Sequence, residues 1–352
     1  MKFALITILF FAVSAAAQSG RIKPAETPKP GPTPKGTVIY IPTQQNTRPR
    51  VSASPTPKPA NDDGDVVKVD STLVPVPVSV VDAAGRSVTN LKLTDFELKI
   101  DGKPAEIGEL SRSETPIRLA MLFDNSGSVL AAREFEKDAA IKFFRRIIRP
   151  EKDLAALYSV STVTRLEQAF TKEISMLVGA IQFFPPPTGA TALLDGIVLS
   201  TDYLAESSGG RRVVVIVSDG DDTASDATLE QTLRALQIAN CQVFVVKTTD
   251  FENFVRTRSR RGNANIRQLI GERRMLELTK QTGGAVYSPI DERELDEAFT
   301  QISAELSQQY ILSYYPDDES DKRGEFREIT LTVKNKPNLT VRTRKGYYVP
   351  KR

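Results

Sequence analysis

The amino-acid sequence predicts an α/β fold built on a doubly wound, mostly parallel sheet, with β-strand segments on either side of it that pair into a β-sandwich. Three observations carry this reading. The runs Arg118-Leu119-Ala120-Met121-Leu122-Phe123 and Val213-Val214-Val215-Ile216-Val217 are continuously apolar rather than alternating. Such strands are buried on both faces, which implies a parallel sheet covered by helices on each side. Between Ile117 and Gln309 runs of this kind alternate with longer helix-like stretches, whereas residues 65–113 and those after Tyr310 read as β-strands alone.

In chain order, Met1-Lys2 is a charged start followed by the short apolar run Phe3 to Val13, and Ala15-Ala16-Ala17 precedes Gln18. This is the pattern of a secretory signal peptide over residues 1–17, too short to span a bilayer comfortably. The sole cysteine, Cys241, lies far from the cleavage site, which argues against a lipid anchor and forbids an internal disulfide. An exported protein is expected, periplasmic or secreted to the cell surface, with no transmembrane segment in the mature chain.

Residues 18–62 form a linker. Ten of the 22 prolines fall between Pro24 and Pro59, a composition that favours extended polyproline II and cannot build a core. The formal net charge is +3, and the linker accounts for it, with seven basic side chains against Glu26 between residues 19 and 60. The folded remainder is slightly acidic, so there is no case for nucleic-acid binding. The linker is a solvated tether or touches an anionic surface such as lipid headgroups or wall polymer.

The N-terminal β segment, residues 63–114, opens with Val74-Pro75-Val76-Pro77-Val78, whose prolines suit an edge strand with its donors facing solvent. Asp82-Ala83-Ala84-Gly85 and Asp101-Gly102 read as hairpin turns, and Phe96, Leu98 and Ile100 alternate with Glu97 and Lys99 as a half-buried strand does. From residue 115 to 310 the α/β pattern places helices at Ala131 to Ile148, from about Thr191 to Ser207, Thr228 to Asn240 and Glu292 to Gln309. Strands fall at Leu154 to Val160, Leu166 to Phe170, Cys241 to Val246 and Ala285 to Ser288. Asp226 or Ser225 is the expected cap of the helix from Thr228. Phe251 to Gly271 is long and polar with Arg256, Arg258, Arg260 and Arg261, and reads as a solvated insertion or a contact for an acidic partner. The C-terminal β segment, residues 311–352, has strands at Ile329 to Val333 and Leu339 to Thr343. Tyr310, Tyr314, Tyr315, Tyr347 and Tyr348 fill a small β core there or form a sugar-stacking platform.

The chemistry is concentrated after the buried strands. Asp124-Asn125-Ser126-Gly127-Ser128 follows the first, placing a carboxylate and two hydroxyls at i, i+2 and i+4. Val213 to Val217 leads into Ser218-Asp219-Gly220-Asp221-Asp222, and Thr188-Gly189-Ala190-Thr191 opens a helix between them. Ligands of open α/β sheets bind beyond the carboxyl ends of the strands where strand order reverses. If the strands of Asp124 and Asp219 flank that point, both carboxylates and Thr191 converge. Hard oxygens without thiolate or imidazole suit Mg²⁺, Mn²⁺ or Ca²⁺. The chain has no histidine, which removes Ser-His-Asp triads, Cys-His dyads, HExxH zinc sites and histidine bases. An aspartyl-phosphate phosphatase is disfavoured because Ser126 stands where a second carboxylate is needed. An EF-hand at Asp219, Asp221 and Glu230 fails at Ala224, which holds the glycine position. The sequon Asn338-Leu339-Thr340 matters only in a eukaryotic secretory host.

These residues make the chain resemble the von Willebrand factor type A domain with its metal-ion-dependent adhesion site (MIDAS), written D-x-S-x-S, then a distant Thr, then a distant Asp. The resemblance spans roughly residues 115 to 310 and implies a Rossmann-like doubly wound sheet with metal ligands Asp124, Ser126, Ser128, Thr191 and Asp219. It extends to residues 65–349 in a bacterial secreted group through Asp95-Phe96, Asp101-Gly102, Thr191 to Asp195, Thr282-Gly283-Gly284, Gln309-Tyr310 and Gly346-Tyr347. In the family, Ser126, Ser128 and Thr191 would bind the metal directly and Asp124 and Asp219 often through water. A coordination position would remain open for an Asp or Glu of a protein partner. Asp221 and Asp222 orient water or hydroxyls around such a site, or form a solvated acidic turn.

The resulting expectation is an exported, metal-dependent adhesion or interaction module, not an enzyme. Two other readings stay open: a structural cell-envelope role with the site unused, and a metal-dependent hydrolase using Asp124 or Asp219.

Overall fold

The computed structural model describes residues 73–112, 114–127, 133–259, 266–316 and 322–350. The expected signal peptide and linker, Ser128, Arg260 and Arg261 lie outside the described residues. In order, the elements are β1 (Val74–Val81), β2 (Phe96–Ile100), β3 (Lys103–Ala105), β4 (Ile107–Arg112), β5 (Ile117–Asp124), α1 (Arg133–Ile147), β6 (Leu154–Val160) and β7 (Arg165–Thr171). There follow α2 (Ile174–Gln182), α3 (Leu193–Glu206), β8 (Arg211–Ser218), α4 (Leu229–Ile238), β9 (Cys241–Lys247), α5 (Thr249–Thr257), α6 (Ile266–Thr282) and β10 (Val286–Tyr287). The chain continues through α7 (Glu292–Gln308), β11 (Tyr310–Tyr314), β12 (Phe326–Val333), β13 (Thr340–Thr343) and β14 (Gly346–Tyr348).

The central six-stranded sheet has the order β10-β9-β8-β5-β6-β7, parallel throughout except for the antiparallel edge strand β7. Alternate residues of its strands feed two cores. Leu119, Met121, Phe123, Val215 and Phe244 pack beneath α1, α2 and α7 with Phe143, Leu177 and Phe299. Ala120, Leu122, Val214, Ile216 and Val245 pack beneath α3, α4 and α6 with Ile197, Leu236 and Met275. A strand can serve two cores only if both of its faces are apolar, which is why β5 and β8 lack polar alternation.

Strands from both ends of the chain build two antiparallel sheets, β13-β1-β11-β4 and β14-β12-β2-β3. Val76, Val78, Phe96, Leu98, Tyr310, Leu312 and Ile329 from these two sheets share a third core, giving the architecture of a sandwich. Tyr310, Tyr314 and Tyr347 are buried in it, which favours core filling over a sugar platform. The Asp101-Gly102 turn closes β2 onto β3 with positive φ at both residues, 48° and 75°. In Thr282-Gly283-Gly284, Gly283 ends α6 at φ 81°, and a Cβ on Gly284 would collide with the Val243 carbonyl, so β9 can approach only a glycine there.

Three local expectations are corrected. β1 is not an edge strand: β11 pairs with Val74 to Val78 and β13 with Val78 to Val81. Its prolines instead limit β13 to the second half of the strand, and the freed carbonyls of Pro75 and Pro77 accept hydrogen bonds from the Arg344 guanidinium (2.7 Å) and the Thr343 hydroxyl (2.9 Å). The cap of α4 is Thr228, the residue directly before the helix and reciprocally bonded with Gln231, while the Ser225 hydroxyl donates to Asp222. Phe251 to Gly271 is helix rather than an irregular insertion over most of its described part, although residues 256–259 remain exposed. Phe251 is fully buried in the first core, most of the segment belongs to α5 and α6, and Arg256 donates to the neighbouring Asn253 at 2.7 Å.

One buried ion pair ties β5 to the turn before β6. Asp153, fully buried, accepts from the Ile117 N–H (2.8 Å) and from Arg149 Nε (2.6 Å) and Nη2 (2.9 Å). Burial opposes its ionisation, yet Arg149 and the backbone donors outweigh burial and hold the carboxyl below the usual range. Asp153→Ala is expected to cost about 2–3 kcal/mol in urea unfolding at pH 7, less than a wholly buried pair because Arg149 is 34% exposed. A depressed pKa stabilises above the unfolded value and is lost as pH falls, so the gap between the proteins should close below about pH 4.

Candidate metal centre

β5 and β8 lie side by side with Phe123 opposite Val217, so Asp124 and Ser218 end together at the carboxyl edge of the sheet. β6 flanks β5 on its other side, and strand order therefore reverses at β5. That is the position where open α/β sheets hold ligands. Asp124, 1% exposed, accepts from the Ser126 N–H at 2.9 Å and from the Ser218 hydroxyl at 2.6 Å. Burial, and then the charge of Asp219, push its carboxyl up to about 6, against the lowering effect of the Ser218 and Ser126 hydroxyls. Asp219 is half-buried just past β8, and its carboxylate accepts from the Asp221 N–H at 2.9 Å.

Thr191 is buried in the loop before α3 and joined to the loop after β8. Its N–H donates to the Thr223 hydroxyl (3.1 Å), and its carbonyl accepts from the N–H groups of Thr223 (2.8 Å) and Ala224 (3.0 Å). Asp222 places its Oδ1 at the start of α3 from across the loop, accepting from the Leu193 N–H at 2.9 Å and from the Ser225 hydroxyl at 2.6 Å. Asp195 returns the contact through the N–H groups of Asp226 (3.0 Å) and Ala227 (2.8 Å). On the other side, Gly127 N–H reaches the Gly189 carbonyl at 3.4 Å and Thr188 N–H the Asn125 carbonyl at 3.0 Å. Buried Arg133 bonds the Asn125 side chain and the Pro185 carbonyl, with its guanidinium over the Phe184 ring. The proline run is thereby tied down beside the Asp124 loop.

The three loops carrying Asp124, Ser126, Thr191 and Asp219 are thus stitched together at one edge of the sheet; Ser128 lies outside the described residues. Sequence reasoning missed three participants. Ser218 was visible as the residue before Asp219. Glu136 stands in register with Ala139, Ala140, Phe143 and Ile147 on the buried face of α1, a position where a carboxylate is anomalous. Its pKa is raised well above the usual range by burial, then by Glu252, Asp124 and Asp219. Glu252 of α5 accepts from the Thr248 hydroxyl at 2.5 Å, yet burial and the charges of Asp219 and Asp124 push it up to about 8. Glu252 had no sequence signal.

The family model for the von Willebrand factor type A domain matches residues 119–298, about half of the chain. The chain belongs to the von Willebrand factor type A family. Solved structures similar to this chain include the PilB minor pilin from Streptococcus sanguinis, at 13% identity over 55% of this chain and 62% of that one, TM-score 0.43. BatB from Bacteroides thetaiotaomicron is 12% identical over 53% of this chain and 98% of that one, TM-score 0.40. Proximal thread matrix protein 1 from the mussel byssus, described with a zinc-occupied MIDAS motif, is 13% identical over 57% and 48%, TM-score 0.43. The chain spans about three fifths of the length of the pilin. Among curated proteins none matches.

The donor set of this von Willebrand A domain fits a hard divalent cation. Among the described residues no three Asp, Glu, His or Cys side chains gather closely enough to chelate one by themselves. What the loops offer instead is two carboxylates with the hydroxyls of Ser126 and Thr191, oxygen donors of low total charge. The mutual repulsion of Asp124, Asp219, Glu136 and Glu252 in a poorly solvated pocket is what a cation would relieve. In chelator at pH 7.5, Asp124→Asn should therefore raise stability by about 3 kcal/mol, the worth of a carboxyl held at about 6 rather than in its ordinary range. A raised acid pKa destabilises the fold above it, so the gain should be full above pH 6 and vanish toward pH 4, as read by thermal unfolding across pH.

Proposed function

We propose that this protein is an exported interaction module that binds a protein partner through a divalent cation. Von Willebrand A domains mediate protein–protein interaction. The finer reading assigns Asp124, Ser126, Ser128, Thr191 and Asp219 as ligands of Mg²⁺, or of Mn²⁺ or Ca²⁺. Its main support is the crowding of buried, like-charged carboxylates at the switch point of the sheet, next to hydroxyls held by a hydrogen-bonded loop frame.

When bound, the cation supplies an electrophilic position that the partner's Asp or Glu completes. The rest falls to the chain's own side chains. Ser218 and the Ser126 N–H hold Asp124 in place, Thr223 and Asp222 hold the Thr191 loop, and Glu136 and Glu252 stand behind the site as carboxyls whose ionisation a cation would favour. Export rests on the first 17 residues, and the proline-rich linker would hold the folded part away from its point of attachment. Among the described residues no helix is long and apolar enough to cross a membrane.

Calorimetric titration of residues 18–352 with Mg²⁺ and Mn²⁺ tests this reading. One-site binding is expected, with at least a tenfold loss of affinity in Asp124→Ala and in Asp219→Ala, and chelator should release partners captured from the envelope fraction. No heat of binding with intact folding would favour the structural role.

A further inference from the structure

A second site lies at the opposite end of the central sheet. A cavity of about 210 Å³ sits between β1 and β11 of the sandwich and the first residues of β8 and β9. β8 starts at Arg211 on the cavity and ends at Ser218 beside the metal centre, roughly 23 Å away at 3.3 Å per residue. Two of the cavity's lining residues are buried arginines, Arg211 at 9% and Arg344 at 8% exposure.

Among the described residues neither has a carboxylate partner. Arg211 donates through Nη1 to the Gln309 side chain (2.6 Å) and through Nη2 to the Leu306 carbonyl (2.7 Å). Arg344 donates to the Asn240 side chain and to the Pro75 carbonyl (2.7 Å), with Tyr347 beneath its guanidinium. These acceptors are neutral. In both arginines Nε is buried and without a hydrogen-bond partner. Asp153 is paired with Arg149, and Glu305 meets Arg342 and Tyr287 through Oε1, its Oε2 being without a hydrogen-bond partner among the described residues. Among the described residues that line the cavity none is acidic, and Arg212, the third arginine, spends its donors on carbonyls such as those of Leu204 and Ala239.

Two uncompensated guanidiniums in one enclosed space are costly, and an orphaned charged N–H more so. Burial depresses both arginines to about 10, for Arg211 against the opposing charge of Asp153. Pro75, Pro77, Ile311 and Cys241 supply apolar walls. We propose that this cavity binds a small organic oxyanion, carboxylate- or phosphate-bearing, whose oxygens accept from the guanidiniums of Arg211 and Arg344 while its body lies against the prolines and Ile311. Arginine forks suit such oxygens, and a cavity of this size accommodates a molecule of about four to eight heavy atoms. The site is independent of the cation reading.

The probes are inorganic phosphate, succinate and butyrate, titrated into residues 18–352 against chloride at matched ionic strength. The expected result is one-site binding of at least one probe, a matching rise in thermal midpoint, and at least a tenfold weaker affinity in Arg211→Gln and Arg344→Gln. Asp219→Ala should bind the probe as the unaltered protein does. Should the arginine variants fail to fold, Cys241→Met, which narrows the cavity without touching a guanidinium, should weaken binding instead. Failure of all three probes to exceed chloride overturns the proposal, as does affinity unchanged in every cavity variant.

Discussion

The parallel pairing of β5 with β8 is the constraint from which the rest of the molecule follows. Seven residue pairs in register, from Ile117 beside Arg211 to Phe123 beside Val217, leave no freedom in where the two strands end. Because side chains alternate across a sheet, a slip of one residue would exchange the two helix-covered cores and send every apolar side chain to the wrong face. The same register that satisfies Leu119, Met121 and Val215 on one side and Ala120, Leu122 and Val214 on the other delivers Asp124 next to Ser218. Packing therefore positions the polar site; no polar contact had to be strong enough to do so.

Charge is distributed along that strand pair in a polarised way. At the carboxyl ends, Asp124, Asp219, Glu136 and Glu252 act on one another with few compensating cations. At the amino ends, Arg211 and Arg344 are buried against neutral acceptors. Each arrangement is unfavourable by itself, since a charge in low dielectric needs a partner. Each is sustained by the apolar burial around it, and each makes chemical sense as a place where an ion of opposite sign completes the set.

The sandwich and the central sheet are joined by a buried polar junction rather than by apolar contact alone. Gln309, between α7 and β11, donates to Ser79 of β1 at 3.0 Å and to Gln242 of β9 at 3.1 Å, and accepts from Arg211 of β8. Gln242 in turn donates to the Gly283 carbonyl at 2.7 Å. Networks of this kind are orientation-specific, because every member must keep its partner once water is excluded. The next residue, Tyr310, continues the lock by accepting the Leu91 N–H at 2.9 Å.

Much of this was legible from residue order. Continuous apolar runs identified β5 and β8 as strands covered on both faces, turn residues placed the hairpins at Asp82 and Asp101, and the spacing of Asp124, Ser126, Thr191 and Asp219 placed them on loops at one sheet edge. These are local or periodic signals, governed by backbone sterics and by which faces must be apolar. The remainder depended on partners distant in the chain. Pro75 and Pro77 suggested an edge strand, but β13, more than 260 residues on, covers the half of β1 that the prolines leave available. Asp222, read as orienting water or hydroxyls or as a solvated turn, meets the start of α3 across the loop, and Thr228 rather than Asp226 or Ser225 caps α4 because it directly precedes the helix and Gln231 reciprocates its bond. Glu136 and Arg344 belong to no sequence motif. Only tertiary packing buries them, and burial is what turns a solvated side chain into one whose charge must be answered.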